Sequence, residues 1–242
     1  MPVLTSIHPP PPRALDAARS AYWEDPLASL AVAIDVHEGA RALGDRPLQA
    51  RALALQGMIS LHRGDLRGAF ALAADAEREA GDDDRAGAEL AALMAHLDFF
   101  SGSYAAALGH AERAIELADR TGDATLRVFA RRMGCIAFGN LGVADWPERL
   151  DATLALAVES GERWEEALSR NDLAHLRMEQ GDLAAADAEI ERGIARGGAR
   201  ARQPLRAGRP ALHPHGAAHA RRPGGRGARR RRPRDRAPHR LR

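Results

Sequence analysis

Apolar residues recur with helical rather than strand spacing along residues 13–197, and glycine interrupts them at regular intervals. "GDRPLQARALAL" starts at Gly44, "GDDDRAGAELAA" at Gly81, "GDATLRVFARRM" at Gly122 and "GERWEEALSRND" at Gly161, at spacings of 37, 41 and 39 residues. A second glycine follows 20 or 21 residues into each unit, at Gly64, Gly102, Gly142 and Gly181. The pattern predicts helix, glycine turn, helix, glycine turn, four times over. Glycine accepts the left-handed conformation that ends a helix, and residues of capping type follow it at Asp65, Ser103 and Asp182. In the third unit Asp145 and Glu148 have the spacing of an acidic capping box, with Pro147 in the first turn. Upstream, Asp25 and Pro26 open what reads as the second helix of an earlier unit, and residues 13–23 read as its first helix.

Small residues keep register with the glycines. Gly57, Ala95, Cys135 and Ala174 recur in the first helices; Ala69, Ala107 and Ala186, then Ala76, Ala114 and Gly193, recur in the second. Small side chains there let paired helices approach closely. This register resembles the tetratricopeptide repeat (TPR), most clearly in "GSYAAALGHAERAIELA" (102–118). The resemblance covers residues 13–197 and implies an all-α fold, a right-handed α-solenoid of about four to five helix pairs. Pro147 stands where the third unit's second helix should carry alanine, so that helix is expected to be shifted. The units exceed the usual TPR length of about 34 residues, which keeps HEAT-like pairing as the alternative fold.

The stretch 139–183, with its DW and SRNDLAH segments, resembles the TPR region that precedes GGDEF diguanylate cyclase domains in some actinobacterial signalling proteins. Transcriptional regulators carry similar arrays. The GGDEF loop is not in this chain, so the resemblance implies a sensory or dimerising module of a signalling protein without its enzyme. Walker, GxGxxG, HExxH, CxxC and GxSxG patterns are likewise missing from the sequence, so neither catalysis nor a cofactor is expected.

Carrying the TPR groove positions over gives a set for the concave face: Arg51, Met58 and His62; Glu89, His96 and Phe100; Phe129, Arg132, Ile136 and Asn140; Asn171, His175 and Glu179. Such a floor of aromatic, aliphatic and scattered polar groups suits a peptide or a partner helix. The competing expectation is that half of these side chains only pack between units. The family's lysine-based clamp for a C-terminal carboxylate cannot be built the usual way, because the chain has no lysine. Self-association is a further expectation, since the last helix (about 182–195) would offer Ile190 and Ile194 on an uncapped face. No metal site is expected: the acidic run "GDDDR" (81–85) falls at a turn, where acids favour a helix start. Cys135, the only cysteine, falls at a packing position, and a buried inert thiol is expected there.

Charge changes the picture only at the C-terminus. Residues 1–198 hold 20 Arg against 32 Asp and Glu, while residues 199–242 hold 15 Arg against Asp235 alone, so the overall charge of +2 hides two opposite halves. The tail's arginine, proline and glycine predict disorder, as does the proline-rich segment 1–12. As a selected arm the tail would bind nucleic-acid phosphates, but it has no aromatic residue to stack on bases. An out-of-frame continuation of a GC-rich coding sequence accounts better for its abrupt start at about residue 198, and nucleic acid is not the expected partner. The sequence contains neither a membrane-spanning apolar run nor a signal-peptide pattern, so a cytoplasmic location is expected.

Overall fold

The structure, a computed structural model, describes residues 12–197, which form ten α-helices and, among the described residues, no strand. They are α1 (Pro12–Ala21), α2 (Pro26–Leu43), α3 (Arg46–His62), α4 (Leu66–Ala80), α5 (Asp84–Ser101), α6 (Tyr104–Thr121), α7 (Ala124–Leu141), α8 (Trp146–Ser160), α9 (Arg163–Glu179) and α10 (Leu183–Gly197). Apart from Pro12, which opens α1, the expectations for segment 1–12 and for the tail 198–242 lie outside the described residues. No described helix is long and apolar enough to cross a membrane.

The eight repeat glycines all have positive φ, between 56° and 88°. Gly102 (φ 81°) shows why the position requires glycine: as C-cap of α5 its N–H reaches back to the carbonyls of Asp98 and Phe99, a geometry that a Cβ would strain. Six aspartates cap the helix starts. Asp25, Asp45, Asp65, Asp83, Asp123 and Asp182 each accept the N–H of the third residue onward, at 2.7–3.1 Å. The two other expected caps are not made. Ser103 precedes α6 without a side-chain cap bond, and the capping box at Asp145 does not form. Asp145 has ψ 14° rather than an extended value, and its carboxylate accepts from Arg149 at 3.1 Å instead.

The helices stack in two rows. α3 packs on α5, α5 on α7 and α7 on α9, whereas successive even-numbered helices make no comparable contact. The odd helices therefore form the inner row of a solenoid-like array. Close approach within pairs depends on the small residues read from the sequence: Ala69, Ala76, Ala107 and Ala114 are fully buried. A Cβ on Gly57 would lie 2.6 Å from Leu93 Cδ2. α8 is shifted, as Pro147 implied. Its buried positions Leu150, Thr153 and Ala157 each come one residue earlier after the preceding glycine than Ala73, Ala76 and Ala80 do in α4. Trp146 fills the resulting space, with its ring 3.4 Å from where a Cβ on Gly139 would lie.

Both ends of the array depart from expectation. Ile190 and Ile194 do not form an open face: Ile194 is buried, Ile190 is half-buried, and both join Trp164, Leu168 and Trp23 in one cluster. The exposed positions of α10 mix polar and apolar residues, among them Leu183, Asp187, Ala188, Glu191 and Arg192. α1, read from the sequence as the first helix of an earlier unit, does not extend the inner row by packing along α3 but reaches across it, with Asp16 paired to Arg51. At ten residues it is about 15 Å long, whereas three flat interhelix steps from α3 to α9 would span roughly 24–30 Å. Contacts from α1 and its following turn to all of these helices require the inner row to curve around it.

Two glycine substitutions should move stability in opposite directions. Gly102→Ala should lower the free energy of unfolding in urea by about 1 kcal/mol. Gly109→Ala, in an exposed turn of α6 with open space around the new methyl, should raise it by about 1 kcal/mol.

Candidate interaction groove

Three carboxylates and three guanidiniums alternate across the inner row. Glu89 of α5 sits at the centre, 3% exposed. It pairs with Arg19 of α1, with Arg51 Nε of α3 at 3.1 Å and with Arg85 Nε at 3.5 Å. Asp16 of α1 accepts from Arg51 Nη2 at 2.5 Å and from Arg85 Nη2 at 2.8 Å. Arg85 also reaches Asp123, the cap of α7, at 3.0 Å. A buried charge is tolerable only when it is paired, and these six groups supply one another's ion-pair partners, although Arg19 Nη2, Arg85 Nε and Glu89 Oε2 are buried without a hydrogen bond. The Arg19 guanidinium carbon lies over the Phe129 ring, 5.8 Å from its centroid.

A second pair, Arg132 of α7 with Glu165 of α9, is buried further along the row, 2.5 Å apart. Tyr22 and Asp172 face it. Burial drives the Tyr22 hydroxyl well above its ordinary pKa. Asp172 is pushed up to about 6, chiefly by desolvation, although Arg132 opposes the shift.

Aromatic rings continue from there toward the C-terminal ends of the inner helices. Trp23 lies 4.6 Å from His62, His62 lies 6.0 Å from His96, and His96 lies 6.5 Å from Phe100. The lane ends at Phe100 and Tyr104, 53% and 41% exposed. Nδ1 of His96 must carry a proton, because it donates to the Ala92 carbonyl at 3.2 Å. Desolvation first, and then the charge of Arg132, lower its pKa to about 4. The partly solvent-reachable His62 ring shifts in the same direction.

The groove positions inferred from sequence divide in two. Arg51, Met58, Glu89, His96, Phe129 and Arg132 are buried, and α1 or its following turn covers most of them. His62, Phe100 and Glu179 are exposed, and Ile136, Asn171 and His175 are half-buried. The Asn140 side chain lies outside the described ones. The division does not follow position along the helices: Met58 and His96 are buried at the same register as the half-buried Ile136 and His175, so it is the cover given by α1 and its turn that separates the two sets. An open cleft of about 230 Å³ runs beside α1, edged by Ser20, Arg85, Asp123 and Thr125.

Sequence reasoning missed Asp16, Arg19, Tyr22 and Trp23, because groove positions were carried over only onto the four units that begin at Gly44. Two of the chain's ten aromatic residues stand side by side at 22–23, one turn after an arginine, and that was the available signal. Asp83 of "GDDDR" caps α5 and Asp84 pairs with Arg120 at 2.6 Å. Among the described residues, no group of His, Cys, Asp and Glu could hold a metal ion. Cys135 is buried against Thr153, and desolvation pushes its thiol up to about 12.

Two measurements check these electrostatics. Glu89→Ala leaves three guanidiniums around an empty centre and should cost about 3 kcal/mol or more in urea unfolding. His96 has a folded pKa below its unfolded value, so it binds its proton more readily when unfolded. Its penalty is absent above pH of about 6.5 and grows as pH falls toward about 4. The stability advantage of wild type over His96→Gln should therefore shrink by a few kcal/mol across that window. A constant difference would contradict the assignment.

No family model matches the chain, and no curated protein matches it.

Proposed function

We propose that this chain is a TPR-type protein-interaction module, the regulatory part of a bacterial signalling protein rather than its catalyst. Its inner face recognises a helical or extended protein segment. The observation that carries this reading is the inner row itself, which curves around a helix and meets it with alternating charges, a cation–aromatic contact and a lane of rings. Side chains of these types make up peptide-binding grooves, where aromatic and arginine anchors dominate affinity. The repeat register and the SRNDLAH segment at 169–175 support the family assignment, and no catalytic constellation is needed to account for the buried charged residues, which pair with one another.

The groove positions that α1 leaves uncovered give the direct test. Helical and extended peptides selected from a displayed library against the full chain should lose about tenfold in affinity on Phe100→Ala or His175→Ala. They should be unaffected by Arg113→Ala on the outer helix α6. Selected peptides that respond only to the outer substitution, or to none, would place binding elsewhere and defeat this reading.

A further inference from the structure

Helix α1 packs on α2 and buries Leu15, Ala18 and Tyr22 in the main core, yet the array's other charge pairs do not need it. The remaining charge pairs of the inner row close without it: Arg51 with Glu89 joins α3 to α5, Arg85 with Asp123 joins α5 to the cap of α7, and Arg132 with Glu165 joins α7 to α9. The array therefore has its own cross-links, and α1 adds Asp16 and Arg19 on top of them. At ten residues α1 is too short to persist as a helix in water, so its helicity depends on being seated.

That seat is tight but imperfect. The cavity beneath α1, between Arg19, Tyr22, Met58 and Phe129, measures about 10 Å³, room for one water molecule, so no partner can enter while α1 is in place. Yet desolvation of Arg19 outweighs the attraction of Glu89 and leaves its guanidinium with a lowered pKa. The indole N–H of Trp23 is buried with no acceptor, a cost that a better-matched occupant would avoid.

We propose that α1 is an exchangeable occupant of the groove, displaced by a partner protein that presents a short amphipathic helix with an arginine one turn ahead of an aromatic residue. That is the chemistry α1 itself displays through Arg19, Tyr22 and Trp23. The partner is a different protein rather than a second copy of this chain. An identical helix in trans would compete against one tethered by a four-residue turn, and the tethered one wins through its effective concentration. The proposal rests on the interaction function argued above and adds to it the occupant, its chemistry and a closed resting state.

The experiment uses the full chain and a fluorescent peptide of residues 12–25. In Arg19→Ala/Trp23→Ala, where α1 is unseated, the peptide should bind at least about tenfold more tightly than to wild type. The same peptide carrying Arg19→Glu should lose that gain, because it would set a carboxylate against Glu89. Equal binding to both chains, or no binding to a double variant that keeps its helical circular dichroism, overturns the proposal. If the double variant does not fold, hydrogen exchange on wild type decides: α1 amides should exchange at least about tenfold faster than those of α3 and α5, and exchange of α1 only with global unfolding overturns it. Library peptides of unrelated chemistry that bind the unseated chain, where the α1 peptide does not, would leave the interaction function standing and remove this proposal.

Discussion

The carboxylate of Glu89 lies almost wholly out of water between arginines from α1, α3 and its own helix. A lone charge in that position would be prohibitively expensive, and each arginine would be so without it. Their mutual dependence fixes which faces of α1, α3 and α5 turn inward. Asp16 and Asp123 extend the same logic to the middle of α1 and the cap of α7, so the polar interior is a chain of obligations rather than a set of isolated salt bridges. Elsewhere the interior is mostly alanine and leucine. Such residues pack well, but by themselves they do not say which helix face belongs where.

An aromatic cluster ties the segment after α1 to the last helix pair. Trp23 reaches the cluster of Trp164, Leu168, Ile190 and Ile194, so the turn after α1 touches the last helix pair. In repeat proteins each unit ordinarily contacts only its neighbours, and terminal units need capping. Here one segment crosses the inner face and covers apolar side chains that would otherwise stay wet. The groove's floor and the array's stability thus share residues, and an occupant of the groove also bears on how firmly the two ends are held.

Much of the fold was legible in local sequence. The glycines at 44, 64, 81, 102, 122, 142, 161 and 181 mark the turns because a left-handed backbone is a single-residue requirement. Asp25, Asp65 and Asp182 are legible for the same reason, since a cap reaches only three residues ahead. Asp145 shows the limit: its residue type is right, but the backbone before α8 turns its carboxylate away. The groove was legible by half. The inner positions of α3, α5, α7 and α9 follow from repeat register. Whether Arg51 and Glu89 stay open or become covered does not, because that depends on a helix far away along the chain.

The sequence by itself determined the helix-pair rhythm, the turns, the close contacts at Gly57 and the alanines, and that α8 is shifted at Pro147. All of these follow from backbone conformation and side-chain size within one or two turns of helix. Tertiary structure alone decided where α1 goes, what Glu89 is paired with, and that Ile190 and Ile194 face inward. Those outcomes come from desolvation and long-range packing, where a buried charge or an apolar face takes whatever partner the curved inner row brings within reach.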